Sequence, residues 1–231
     1  MAVTVASILS RVDATLQDTS NIRWPDTELI LWVNDAQREI TYIKPDATAT
    51  VATVTLVAGT KQSIPSAGNR LLDITRNMSA ASSGTGGRAI RLVTRDSLDA
   101  QSPSWHDPTV TGSAKHTNVV KHYTYEDSNP RTFYVYPGVS GNAYVELTYS
   151  ANPATVATSD NIGVPDIYST AIMNYVLYMA YMKEAEFAEN SQRAGAHYQL
   201  FTSMLAGKGQ LDAATSPNLD IRKTPTAVAT G

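Results

Sequence analysis

The chain predicts an α+β fold, with a helical bundle assembled from N- and C-terminal helix pairs, an inserted antiparallel β-sandwich-like region and an extended C-terminal tail. Three observations predict it. Apolar residues recur at helical spacing over the first 44 residues, the period falls to two from residue 49 onward, and helical patterning returns after Val164-Pro165-Asp166 before fading beyond Gly207. The expected units are a bundle of 1–48 with 164–206, a β domain of 49–163 and a tail of 207–231.

The first helix is expected over residues 4–18, where Val5, Ile8, Leu9, Val12 and Leu16 share one face. A second begins at Trp24-Pro25-Asp26-Thr27-Glu28. Proline presets φ there, and the adjacent acids favour the positive end of the helix dipole. Leu29, Trp32, Val33, Ala36, Ile40 and Ile43 form its apolar stripe, while Asn34, Asp35, Gln37, Arg38 and Glu39 are expected mostly to face away. Lys44-Pro45 ends it, because proline disfavours helical geometry in the residue before it.

Alternation starts at residue 49. Val51, Thr53, Thr55 and Val57 oppose Ala52, Val54 and Leu56, and Ala58-Gly59-Thr60 reads as a hairpin turn into a strand over 61–64. Strands follow at 71–78 and 88–94, joined by a flexible hairpin loop that holds Gly84, Gly86 and Gly87. A helical turn is expected at 96–100 and a long surface loop over 102–115. Three strands in meander order follow, at 119–126, 131–136 and 143–150. In the last, Ala143, Val145, Leu147 and Tyr149 face one way and Tyr144, Glu146 and Thr148 the other, with one side in the core.

A long helix is expected from Pro165-Asp166 to about residue 189. Ile172, Met173, Tyr175, Val176, Leu177, Tyr178, Met179, Tyr181 and Met182 leave it no wholly polar face, the pattern of a helix covered on several sides. A last helix, after Asn190-Ser191, carries Ala194, Tyr198, Phe201 and Leu205 at spacings of four, three and four. The two terminal helix pairs are expected to pack together, since neither alone covers the apolar helix.

Composition narrows the function classes. Without cysteine there are no disulfides, thiolate metal sites or cysteine nucleophiles. With 18 Lys+Arg against 21 Asp+Glu, the formal charge of -3 argues against a broad basic grip on nucleic acid. Only 17% of residues are charged, as expected of a surface covered by other subunits. The opening residues lack the basic and apolar regions of a secretory signal, and the apolar stretch 171–182 is too short to span a bilayer, so a soluble protein made in the cytoplasm is expected.

No catalytic or cofactor site emerges. The glycine run lacks the Lys-Ser/Thr of a phosphate loop and leads into a strand. His106, His116, His122 and His197 show no metal spacing, and Gly138-Val139-Ser140-Gly141 is a residue short of a nucleophile elbow. Asp96 with Asp99, and Glu184 with Glu186 and Glu189, read as solvated helix faces, and Asn77-Met78-Ser79 as a chance glycosylation match. Tyr123, Tyr125, Tyr134, Tyr136, Tyr144 and Tyr149 read as cross-strand partners and protein interface in preference to a stacking platform for sugar or bases.

Several segments, in order, resemble the adaptor proteins of tailed bacteriophages: Leu16-Gln17-Asp18-Thr19-Ser20-Asn21-Ile22-Arg23-Trp24-Pro25-Asp26-Thr27-Glu28-Leu29 with Trp32-Val33-Asn34-Asp35-Ala36-Gln37-Arg38-Glu39-Ile40, then Asn129-Pro130-Arg131-Thr132-Phe133-Tyr134-Val135-Tyr136-Pro137, Val145-Glu146-Leu147-Thr148-Tyr149-Ser150-Ala151-Asn152-Pro153, and Pro165-Asp166 with its helix. The resemblance covers residues 2–205. It implies a non-enzymatic virion protein, the head-to-tail connector subunit of a homo-oligomeric ring, usually a dodecamer, beneath the portal protein. Such a ring extends the DNA channel, docks a tail or nozzle protein, and meets double-stranded DNA only in passage through a lumen without phosphate-binding clusters. It implies no cofactor, metal or membrane partner. The all-apolar helix fits this reading, with Met173, Val176, Tyr178 and Met182 as candidate subunit-interface residues. In the tail, Leu219, Ile221, Arg222 and Lys223 are the candidate contacts to the portal or a neighbouring subunit. Competing readings are a tail-tube or nozzle subunit, a carbohydrate-binding surface module and a hydrolase.

Overall fold

Thr4 starts the first helix, its hydroxyl accepting a hydrogen bond from Ser7 N at 3.3 Å. The computed structural model describes residues 2–82, 84–184 and 186–215. Among them are five α-helices, α1 (Val5–Leu16), α2 (Asp26–Ile43), α3 (Arg95–Gln101), α4 (Ser169–Lys183) and α5 (Ala188–Thr215). The strands are β1 (Ala49–Leu56), β2 (Gly59–Ser63), β3 (Gly68–Met78), β4 (Gly86–Ala89), β5 (Arg91–Leu92), β6 (His122–Tyr125), β7 (Thr132–Val139) and β8 (Ala143–Ala151). The fold is α+β with helices at both ends. Two units separate, one of residues up to Lys44 with those from Ala154 onward, the other Pro45–Pro153.

In the helical unit α4 packs against α1, α2 and α5, which covers its apolar surface on several sides. α1 contributes Val5, Ile8, Leu9 and Val12 to the core, and α2 contributes Leu29, Trp32, Val33, Ala36 and Ile40. Asp18 organises the entry to α2: its carboxylate accepts hydrogen bonds from the backbone N–H of Ile22, Arg23 and Trp24. The bond from Trp24, above all, holds the Asp18 carboxyl below its ordinary pKa.

Asn34 and Gln37 do not face away as expected; both are buried. Asn34 exchanges two hydrogen bonds with the backbone of Val156, Nδ2 donating at 3.1 Å and Oδ1 accepting at 2.8 Å, and Gln37 Oε1 accepts from Gly163 N. Their partners lie in residues 154–163, a segment placed with the β domain by sequence. Its backbone also takes Val5 N on Asp160 O and Ala6 N on Thr158 O, capping orphan donors of α1. Beyond one antiparallel bridge between Asn161 and Thr4, this extended segment has no strand neighbour among the described residues, so side-chain amides take the place of a ladder. Asn34→Ala is expected to lower the stability of the helical unit by about 2 kcal/mol, because two buried backbone groups lose their partners. Urea denaturation followed by far-UV circular dichroism measures it.

The helix expected to reach residue 189 stops at Lys183, and the next begins at Ala188. Ion pairs from Arg23 to Glu184 and from Lys183 to Glu28 tether this end of α4 to the start of α2. Turn bonds from Glu184 N to Tyr181 O and from Phe187 N to Glu184 O reverse the chain. α5 then runs antiparallel to α4, pairing Tyr181 with His197, Tyr178 with Tyr198 and Tyr175 with Phe201. It continues to Thr215, so residues 207–215 are helical where an extended tail was expected. Lys208 and Asp212 pair one turn apart, and Lys44 reaches the same carboxylate at 2.9 Å, which offsets part of the cost of Gly207 and Gly209.

The β unit is a sandwich of two four-stranded sheets, ordered β1-β8-β3-β4 and β2-β7-β6-β5, antiparallel except for β5 with β6. Leu71, Ile74, Val145 and Leu147 of the first sheet and Tyr123, Phe133 and Val135 of the second share one core. Two expected connections are corrected. β1 and β2 are not a hairpin, because Gln62 bonds Val57 N and O and Gly59 O, folding 57–62 into a corner that sends β2 to the other sheet. β6, β7 and β8 are not one meander either: β8 crosses to the first sheet and lies between β1 and β3. Pro137 in β7 has no N–H to offer a following partner.

The loop expected on the surface over 102–115 carries a fully buried Trp105, seated with Leu98 and Ala114 against Tyr134 and Tyr136. Its Nε1 donates to Asp99 Oδ1 at 2.8 Å. Asp99, read as a solvated acid, is thus a partner of the buried indole.

Candidate functional site

The four interface residues expected on α4 do not share one surface. Val176 is 0% exposed and belongs to the core of its own unit, whereas Met173 and Tyr178 are half-buried and Met182 is 44% exposed. Tyr178 spends one ring face on Tyr198, with centroids 4.9 Å apart. The wholly apolar sequence of α4 is satisfied largely by α1, α2 and α5, which is why Val176 is unavailable to a partner.

A broader apolar surface lies on α5. Its 28 residues span about 42 Å. Ala194, Phe201 and Leu205 are buried on one side, while Leu200 (46% exposed) and Met204 (38%) project about a third of a turn away. At 100° per residue, Ala196, Gly207, Leu211 and Ala214 fall in the same band, so a stripe of small and apolar residues runs along the helix from residue 196 onward, with Glu189 and Arg193 in the band before it. Leu200 and Met204 were missed by sequence reading, which followed only the stripe through Ala194 and Phe201. The signal was a second set of i, i+4 apolar positions on the same helix.

Leu219, Ile221, Arg222 and Lys223, the candidate tail contacts, lie outside the described residues.

The histidines occupy separate structural settings. His197 Nδ1 donates to Asn174 Oδ1 at 2.9 Å, fixed in that role because Asn174 Nδ2 donates to Thr170 O, and its ring stacks on Tyr181. His106 Nδ1 lies 2.8 Å from Thr60 Oγ1, and His106 and His116 line one cavity of about 370 Å³ with Pro108 and Ser140. Ser140 Oγ donates to Asn118 and not to either ring. Among the described residues no group of three or more His, Asp or Glu is placed to hold a metal ion, and no helix is long and apolar enough to cross a membrane.

Burial is the main cause that lowers the pKa of His106, His122 and His197 from the usual 6.5. The unfolded chain therefore takes up these protons first as the pH falls. Stability present at pH 7 is lost as the pH drops below about 6.5 toward the folded-state values. Thermal melts at pH 7.5 and 5.5 are expected to show a lower Tm at the acid end, and His197→Gln a smaller difference.

None of the six meander tyrosines forms an open platform. Tyr123 and Tyr149 are buried, the other four are half-buried, and Tyr123 donates to Asp73 at 3.0 Å while its pKa is raised, mainly by burial. Asn77 of the glycosylation match is also buried, its amide bonded to Arg88 O and to Val120 O and N.

One protein-family model, described as SU10 adaptor protein, matches residues 3–221. No curated protein matches the chain.

Proposed function

This chain belongs to the SU10 adaptor protein family, the head-to-tail adaptors of phages, and on that premise we propose that it is the repeating subunit of a ring between portal and tail. The family membership makes it a virion component that works through other virion proteins. The finer reading is that copies associate side by side through their helical units, that the ring extends the DNA channel, and that its opposite end docks a tail or nozzle protein. One observation carries this reading: the family match runs through both units with 219 of the 231 residues inside its limits.

Two features of the chain support it. Leu200 and Met204 leave α5 with an apolar flank that a neighbouring subunit would cover, and the low fraction of charged residues suits a surface used for assembly. Twelve subunits are the expected number. Residues 216–231, with Leu219, Ile221, Arg222 and Lys223, are the segment assigned to the portal or a neighbouring subunit; Met173, Tyr178 and Met182 are further candidates for the contact between copies.

Electron microscopy of the purified chain mixed with portal particles tests the reading. A ring coaxial with the portal is expected, and absence of any complex at micromolar concentration overturns it. Removing residues 216–231 is expected to leave a folded chain that no longer joins the portal; undiminished co-assembly refutes the role of the tail.

A further inference from the structure

Arg88 and Arg91 sit on either side of a sheet change. β4 belongs to the first sheet and β5 to the second, with the buried Ile90 between them. Ile90 N donates to Thr75 O and Arg91 N to Lys121 O, so the chain crosses from one sheet edge to the other within three residues. Arg91 is in register with His122 on β6, and Lys121 precedes it. The result is a cavity of about 300 Å³ lined by Arg88, Ala89, Arg91, Lys121 and His122.

Three properties set this cavity apart. No carboxylate lines it, and none of its three cations has an ion-pair partner among the described residues, although acids outnumber bases in the chain. His122 forms part of its wall, with the ring stacked on Tyr136. The walls are held in place by Asn77, whose amide bonds Arg88 O on one side and Val120 O and N on the other at 2.8–2.9 Å. Gathering like charges on a fixed frame is unfavourable unless an anion relieves them. A single carboxylate leaves most of that charge in place, whereas a phosphate offers up to two charges and several acceptor oxygens to two guanidinium forks and an ammonium.

We propose that Arg88, Arg91 and Lys121, with His122 beside them, form a binding site for a phosphate group at the edge of the β unit. The group comes either from a nucleic-acid backbone or from a free phosphate. The site lies in the β unit and is independent of whether the helical units form a ring.

The test follows the His122 ring resonances of the full chain by NMR during titration with inorganic phosphate, with a short DNA duplex, and with chloride at matched ionic strength. Saturable shifts with phosphate or duplex but not with chloride are expected. Arg88→Gln with Arg91→Gln is expected to weaken binding by about tenfold or more, since two charge-assisted contacts are lost, with the thermal melt not lowered. A duplex that binds more tightly than phosphate, with a salt slope that flattens in the double variant, supports the backbone as source; response to phosphate alone supports a free phosphate. Unmoved His122 resonances with both, equal binding by the double variant, or an equal response to a poly-glutamate peptide overturns the proposal.

Discussion

Trp105→Ala is expected to lower the stability of the β unit by about 3–5 kcal/mol, the range for removing a large aromatic from a closed site. Trp105 is the largest fully buried side chain among the described residues, and the small cluster around it contains Leu98 and Ala114 as its other buried members. Neither can fill the space. The change also strips Asp99 of its indole donor and exposes the inner edges of Tyr134 and Tyr136, which meet the Trp105 ring edge-on at 6.5 and 6.2 Å. Because the rest of 102–115 is held mostly by turn hydrogen bonds, this loss falls locally first. Limited proteolysis is expected to cut within 102–115 in the variant and not in the parent, and urea denaturation to show the lower midpoint. Trp105→Phe is expected to recover much of the loss; a stable, protease-resistant alanine variant contradicts the anchoring role.

The second large effect concerns assembly. Leu200→Asp with Met204→Asp is expected to weaken association between copies by about a hundredfold or more, because two buried apolar side chains contribute about 3 kcal/mol and a desolvated charge opposes contact further. Leu200 lies outside the stripe that α5 presses on α4, whereas Met204 sits at its edge with Sδ 4.0 Å from Asn174 Nδ2, so Leu200→Asp alone is the variant that leaves the α4 contact intact. Mass photometry with matched circular dichroism separates the outcomes. Loss of the oligomer with an unchanged spectrum places the contact on α5, and undiminished assembly removes it from there.

The sequence was most legible where one side of an element faces the core and the other does not. In β8 the alternation of Ala143, Val145, Leu147 and Tyr149 identifies the buried face residue by residue. The stripes of α1 and α2 are equally direct, as is the helix start at Pro25-Asp26. Reading faltered where a polar side chain replaces a backbone partner. Asn34, Gln37, Gln62 and Asn77 are all buried and all bond the main chain, and nothing in their local spacing separates them from solvent-facing amides. The expected interface on α4 failed at Val176 for a related reason: an all-apolar helix signals that it is covered, without saying whether its own chain or another does the covering.

The sequence by itself determined the α+β class, the order of helical and β segments and the family, because periodicity and segment order are local properties of the chain. Only the tertiary structure decided which strands share a sheet, that α4 ends at Lys183, that the apolar flank of α5 stays open, and that Arg88, Arg91 and Lys121 meet at one cavity. Each of these depends on contacts between residues distant along the chain. A short corner, at residues 57–58 or at Ile90, redirects a strand without changing the pattern on either side, so the meeting of distant side chains is set by packing and not by spacing.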